Sequence, residues 1–250
     1  MLLTLLIPYR KRPPHLKTFV RWFAGDLSYR GRVEAILLEM DGAPGEAREM
    51  AREAGLRYEF IECAGVFHKT LALNRGLSLA AGRLVTSFDI DLVPIDDALN
   101  RQVRAALESP ALLFTAYRLL SRRAQVAPGE VARAASKARI ASEDGRSALR
   151  KYLVNGERFG HVPLFETETL RRLGGWDESF IGWGAEDQEV IERYVSAAGK
   201  VFVRAPDFTY LHLFHKPAAL WNEPELTAEN RRRHRLRRLN LSRHPQPGNC

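Results

Sequence analysis

The run Leu3-Thr4-Leu5-Leu6-Ile7-Pro8 is apolar at nearly every position rather than at every second one. A strand with one wet face alternates, whereas a strand covered on both faces does not. The run therefore predicts a strand inside a sheet. His15 to Ala24 follows, with Leu16, Phe19, Val20 and Phe23 at helical spacing. The alternation then repeats. Val33–Glu39, Arg57–Glu62 and Leu84–Phe88 read as strands. Glu46–Glu53 and Lys69–Ala81 read as helices stopped near Gly55 and Gly82. This β-α-β-α-β-α-β order predicts an α/β fold with a mostly parallel, doubly wound central sheet. Ligands of such sheets bind outside the carboxyl ends of the strands. Pro8–Arg12 and Asp89–Asp91, each following a strand, then share one mouth.

Beyond Ala111–Tyr117, another strand-like run, the pattern weakens. Leu119 to Lys151 is rich in Arg, Ala and Ser and contains Pro128-Gly129. It reads as a partly helical insertion that could act as a lid. Order resumes at His161–Phe165, followed by a short helix over Glu166–Leu173 and a longer one from about Ala185 to Ala198. Lys200–Arg204 and Phe208–Phe214 read as two strands. These signals predict one domain over residues 1–224 that carries the insertion 119–151. A basic tail over 225–250 would follow.

The net charge of +8 on 250 residues favours anionic partners such as nucleotide phosphates, acidic glycans, anionic lipid or nucleic acid, without choosing among them. Cys63 sits in an apolar stretch and Cys250 is the last residue, which speaks against a structural disulfide and for a reducing compartment. Met1–Tyr9 is too short to span a bilayer and lacks the marks of a secretion signal. The expectation is a cytoplasmic protein, peripheral at the inner face of the membrane if the basic tail lies on anionic lipid.

Four constellations carry chemistry. In Phe88-Asp89-Ile90-Asp91-Leu92-Val93-Pro94, an extended chain would point both carboxylates the same way, roughly 6.5 Å apart. Two buried carboxylates need a counter-charge, and a divalent cation, Mn²⁺ or Mg²⁺, would supply it. The plain alternative is a solvated strand end carrying two turn-forming Asp residues. In Gly182-Trp183-Gly184-Ala185-Glu186-Asp187, two acids open a helix whose dipole favours negative charge. That is good helix electrostatics, or a base at a pocket mouth with Trp183 offering a flat face to a sugar. In His212-Leu213-Phe214-His215-Lys216, either imidazole could complete an oxygen-rich metal site. Pro8-Tyr9-Arg10-Lys11-Arg12 places guanidinium groups where phosphates would bind. No phosphate-binding glycine loop, dinucleotide fingerprint, zinc-protease motif or serine elbow occurs.

Taken in order, these segments resemble the family-two-like GT-A glycosyltransferases, the β-1,4-galactosyltransferase type with its galactosyltransferase-like C-terminal region. Ile7–Arg12 with His15-Leu16, Phe67–Gly76, Phe88–Pro94, and Gly174-Gly175-Trp176 through Asp187 carry the likeness. Asn222-Glu223-Pro224 adds to it. The resemblance implies a GT-A, nucleotide-diphospho-sugar transferase fold, and roles for individual residues. Pro8, Tyr9, Arg10, Arg12, Phe67, Lys69 and Asp89 would bind the nucleotide. Asp91 would ligate the metal with His215 or His212, and Asp89 through water. Trp183, Gly184 and Glu186 would hold donor and acceptor sugars, and Asp187 would be the general base. Ala185 and Gln188 depart from the pattern, where Gly and Asp are expected. The implied activity is inverting transfer from a UDP-sugar, of galactose or N-acetylhexosamine type, to a glycan or lipid-linked acceptor. Two other readings stand beside it: a nucleotide-sugar-binding protein without catalysis, and, from Arg231–Arg233, Arg235, Arg237 and Arg238, a nucleic-acid-binding protein. The latter lacks any stacking pattern or recognisable fold, so no nucleic-acid partner is expected.

Overall fold

The structure, a computed structural model, describes residues 1–29, 31–216 and 223–243. Asn222, Cys250 and the tail from His244 onward lie outside the described residues. The first sheet runs β3-β2-β1-β4-β8. Its strands are β1 (Leu3–Tyr9), β2 (Val33–Asp41), β3 (Arg57–Glu62), β4 (Leu84–Ser87) and β8 (Phe165–Glu166). β1, β2, β3 and β4 are parallel and β8 is antiparallel. The mostly parallel, doubly wound sheet is as predicted.

Every residue of β1 is buried, and the period-2 alternation of a strand explains how. Leu3, Leu5, Ile7 and Tyr9 face one core with α1 (Pro13–Gly25) and α2 (Ala47–Glu53). Leu6 faces the other core, with Ile36 and Leu38 of β2. α3 (Lys69–Leu79), α7 (Thr167–Arg172) and α8 (Glu186–Ala197) cover that side through Leu73, Leu170 and Val190. α3 stops short of the expected Ala81 because Ala80 turns extended.

The second sheet runs β5-β9-β6-β7. It contains β5 (Leu92–Pro94), β6 (Leu112–Leu120), β7 (Arg139–Ile140) and β9 (Val201–His212), with α4 (Ala98–Glu108) packed beside it. The two strands expected over 200–214 are a single strand, β9. Its register against β6 slips between Thr115 and Tyr117, so the exposed Pro206-Asp207 step is absorbed by a bulge rather than by a break. The run His161–Phe165 contributes only an isolated bridge to Ala116 and the start of β8.

The insertion holds α5 (Val131–Ala135), β7 and the start of α6 (Arg146–Val154). Residues 225–243, expected as part of a tail, are helical within α9 (Pro224–Arg243), which packs on α8. Thr227, Asn230 and His234 are buried there. His234 lies 3.1 Å from Glu192 of α8, and Asn230 Nδ2 donates to the Ile181 carbonyl at 2.9 Å. Among the described residues no helix is long and apolar enough to cross a membrane.

Candidate active site

A cavity of about 640 Å³ opens where β1 and β4 end. Pro8, Arg10, Arg12, Asp89 and Asp91 line one side, and Trp183, Gly184, Glu186 and Asp187 line the other. His212 and His215 join the lining beside Asp91, and Lys69 lies between Asp89 and Asp187, 3.6 and 3.0 Å away. Most of the predicted site is therefore brought together. Two residues are not. Tyr9 points into the core because its neighbours Pro8 and Arg10 take the open face, and burial pushes its hydroxyl up to about 12. Phe67 is fully buried in the opposite core and lies under the Arg10 guanidinium, 5.1 Å from its ring centroid. The Phe67 carbonyl instead accepts a hydrogen bond from Gly182 N at 3.1 Å, which ties the Trp183 loop to the start of α3.

The acidic pair after β4 is not extended. Leu92 N donates to Asp89 O at 3.0 Å, so residues 89–92 form a turn. The turn sends the two carboxylates to different partners, contrary to the shared facing expected of a strand. Asp91, 2% exposed, faces Arg12 and both histidines. Arg12 Nη1 donates to Oδ2 at 2.5 Å, His215 Nε2 lies 3.2 Å from Oδ2, and His212 Nε2 lies 3.5 Å from Oδ1. Asp89 faces Lys69 at 3.6 Å and stands outside the Asp91 cluster.

Asp91, His212 and His215 each offer a ligand atom, all within 4.8 Å of one another. Asp91 Oδ1 is buried without a hydrogen-bond partner, an expensive condition for a carboxylate oxygen. Burial holds the His212 imidazole below its ordinary value against the pull of Asp91, and a neutral imidazole is the ligating form. One carboxylate and two imidazoles with an orphaned oxygen between them suit a divalent transition metal such as Mn²⁺. The sequence left a choice between the two histidines; both point at Asp91. The loop that carries His215 is pinned by Leu213 N to Asp91 O at 2.8 Å and by Phe214 N to Arg123 O at 2.9 Å. His15 also braces it, 3.1 Å from the Phe214 carbonyl.

Across the cavity, Gly182 and Gly184 have φ of +76° and +119°, and Ala185 has φ of +65°. The first two are positions for glycine. Ala185 is not, and its left-handed backbone is strained where the resemblance expects Gly. This bend aims the first turn of α8 at the cavity. Glu186 accepts from Gly184 N at 2.9 Å. Lys69 Nζ lies 3.0 Å from Asp187 Oδ2 and 3.5 Å from Glu186 Oε1. Burial would lower the Lys69 ammonium, but Asp187, Asp89 and Glu186 outweigh it and raise it well above its ordinary value. Glu186 moves up to about 7, through burial first and the Asp187 charge second. Asp89 is held below the usual carboxylate range, its burial outweighed by Lys69. The partly exposed Asp187 carboxylate thus meets the Lys69 ammonium and the cavity, beside the buried Glu186.

Arg10 is more of a bracket than a free anion receptor. Its guanidinium donates to the carbonyls of Met40, Gly65 and Cys63 at 2.6, 2.7 and 2.6 Å. Two of its five N–H donors are left over.

Several lining residues were not foreseen. Arg118, Glu143, Tyr152, Phe159 and His161 come from β6 and the segment after it, and Arg231 comes from α9. Arg118 pairs with Glu143. Buried Asp144 accepts from Arg118 N at 3.0 Å and pairs with Arg204. Arg118 could have been anticipated, since it follows Tyr117 at the end of a predicted strand. Glu143, Tyr152 and Phe159 sit on turns, short helices or loop without a periodic signal, His161 sits in an isolated bridge, and Arg231 sits on α9, whose first part was expected as tail.

A family model of the N-terminal domain of galactosyltransferase matches residues 145–216. No curated protein sequence matches the chain. Among solved structures, the mannosyltransferase PcManGT from Pyrobaculum calidifontis, in complex with GDP-Man and Mn²⁺, superposes with a TM-score of 0.67 at 18% identity. The superposition covers 95% of this chain and 64% of that one. TarS from S. aureus, as residues 1–349 in complex with UDP-GlcNAc, gives 0.70 at 14% identity, covering 96% and 67%. Another TarS crystal structure gives 0.65 at 15%, covering 96% and 40%. The chain therefore spans less than two thirds of PcManGT and of the longer TarS chain. Its fold is that of these GT-A glycosyltransferases.

Proposed function

We propose that the chain is an inverting, metal-dependent glycosyltransferase that moves a sugar from a UDP-sugar, of galactose or N-acetylhexosamine type, to an acceptor hydroxyl on a glycan or lipid-linked saccharide. The carrying observation is one cavity with the Asp91–His212–His215 cluster on one wall and the Glu186–Asp187 pair on the other. The galactosyltransferase match over 145–216 covers Trp183 to His215 and supports the same reading. Residues 1–224 act as one domain in it, with the nucleotide held by the first 95 residues.

In this reading Asp187 takes the proton of the acceptor hydroxyl. The hydroxyl oxygen bonds to the anomeric carbon as the bond to the diphosphate oxygen breaks, and the electron pair leaves with UDP. Lys69, 3.0 Å from Oδ2, orients Asp187. Glu186, protonated below about 7, bonds acceptor hydroxyls. Pro8, Arg12 and Asp89 receive the nucleotide, with the two remaining donors of Arg10. Asp91, His212 and His215 would hold Mn²⁺, which when bound supplies positive charge against the departing diphosphate. Positioning and charge account for most of the acceleration.

The test is nucleotide release from UDP-galactose, UDP-GlcNAc, UDP-GalNAc and GDP-mannose, with Mn²⁺, with Mg²⁺ and with EDTA, in wild type and Asp91→Ala. Release from one donor that EDTA and the substitution both abolish is expected. UDP binding without release from any donor, across a panel of acceptors, would favour a binding protein instead.

For the basic segment, the packing of α9 favours anchoring the site over lying on a membrane. Arg237 pairs with Asp177 and Glu189, and Arg238 with Glu192. These groups are turned to the domain.

A further inference from the structure

We propose that Arg231 and Trp183 form a subsite for an anionic acceptor, a saccharide bearing a phosphate or carboxylate group; this rests on the glycosyltransferase reading above. The lysine and arginine side chains lining the cavity are Arg10, Arg12, Lys69, Arg118 and Arg231. Four of them are matched from within the fold. Arg10 serves three carbonyls, Arg12 pairs with Asp91, Lys69 lies among three carboxylates, and Arg118 pairs with Glu143. Arg231 has no carboxylate or carbonyl partner among the described residues. Its guanidinium instead lies over the Trp183 ring, 5.6 Å from the centroid.

That placement is built rather than incidental. The neighbouring Asn230 donates to the carbonyls of Ile181 and Trp183 at 2.9 and 3.3 Å. Thr227, one turn earlier, packs so close to Gly184 that an added Cβ there would touch its Cγ2 at 3.4 Å. These contacts fix the register of α9 on the loop 181–184 and so present Arg231 to the cavity. Other arginines of the helix are taken up elsewhere, Arg232 by Glu229 and Arg238 by Glu192.

A guanidinium that spends no N–H on a carboxylate or carbonyl keeps its fork of donors for a ligand, and that fork fits two oxygens of a phosphate or carboxylate. Trp183, 45% exposed, supplies the holding face. The loop that carries Trp183 runs directly into Glu186 and Asp187. An anion on Arg231 would therefore lie beside the residues read as binding and deprotonating the acceptor. Such a substrate must come from a reaction that installs a phosphate or a uronic acid carboxylate on a saccharide.

The test uses the full chain with UDP and Mn²⁺ present, and follows tryptophan fluorescence during titration with glucose, glucose 6-phosphate and glucuronate. Wild type is compared with Arg231→Gln and Arg231→Lys. At least one anionic probe is expected to bind about tenfold more tightly than glucose, the scale of a charge-assisted bidentate pair. The advantage disappears in Arg231→Gln, partly survives in Arg231→Lys, and UDP affinity is unchanged in both. Preference for glucose 6-phosphate alone identifies a phosphate, and preference for glucuronate alone a carboxylate. Equal binding of all three probes to wild type, or an anionic advantage that survives Arg231→Gln, overturns the proposal. Loss of UDP affinity in a variant that still melts like wild type would give Arg231 to the donor diphosphate and also overturn it. Failure of wild type to bind UDP at all would instead remove the glycosyltransferase reading beneath it.

Discussion

β1 is buried from Leu3 to Tyr9, whereas α6, on the other side of the cavity, ends on a Val154 that is 78% exposed. The two regions are held differently. The β1–β4 half rests on apolar side chains packed on both faces of a sheet. The wall formed by β6, the insertion and α9 shares part of that packing through Phe114, Val126 and Val131, and adds ion pairs at the cavity side and on α9: Arg118 with Glu143, Arg204 with Asp144, Arg238 with Glu192. Apolar packing is strong and indifferent to partner, so it serves as frame. Paired charges are directional and polar, so they shape a wall that meets a substrate.

The largest effect that separates the regions is on stability. Leu6→Ala removes a fully buried side chain and is expected to cost about 2–5 kcal/mol. Val154→Ala is expected to stay within about 0.5 kcal/mol. Denaturant melts check both, and equal losses would erase the distinction.

Next comes the pH response at the start of α8. The Glu186 carboxyl stands near 7 in the folded chain against 4.5 as its ordinary value. Between those values the folded state holds the proton that the unfolded state has released, so its contribution to stability falls as pH rises from about 4.5 to 7. Glu186→Gln has no such proton and should flatten that part of the melting-temperature profile. An unchanged slope would mean that Glu186 is ionised throughout.

The smallest effect concerns backbone strain. Ala185→Gly places the freer residue at φ +65° and should raise stability by up to about 1 kcal/mol. A loss of stability on the same melts would mean that the left-handed bend before α8 is not strained.

The same contrast explains what the sequence disclosed. The order of β1 to β4, and the helices between them, could be read because strands covered on both faces leave continuous apolar runs and helices leave apolar positions every three to four residues. The chemistry-bearing runs also sat where the fold needed them, at strand ends and at the start of α8. The turn at Asp89–Leu92 was missed because an Asp-x-Asp is compatible with either an extended or a turned backbone. Tyr9 and Phe67 were misplaced because a residue's membership in a motif says nothing about which face of the strand or loop it occupies. Glu143, Tyr152 and Arg231 were invisible for a different reason. They reach the cavity through contacts between segments distant in sequence, such as Arg238 of α9 with the Asn155 carbonyl, and such contacts leave no local period.

The division of labour across the cavity is tested most directly by Asp187→Asn, with UDP affinity and turnover measured on the same sample. Asp187 is read as the base and the nucleotide is assigned to the opposite wall. UDP affinity should therefore stay within about twofold of wild type while turnover falls roughly 10²–10⁴-fold, the usual contribution of a positioned base. Turnover equal to wild type, or loss of UDP binding in a variant that is still folded, would contradict it.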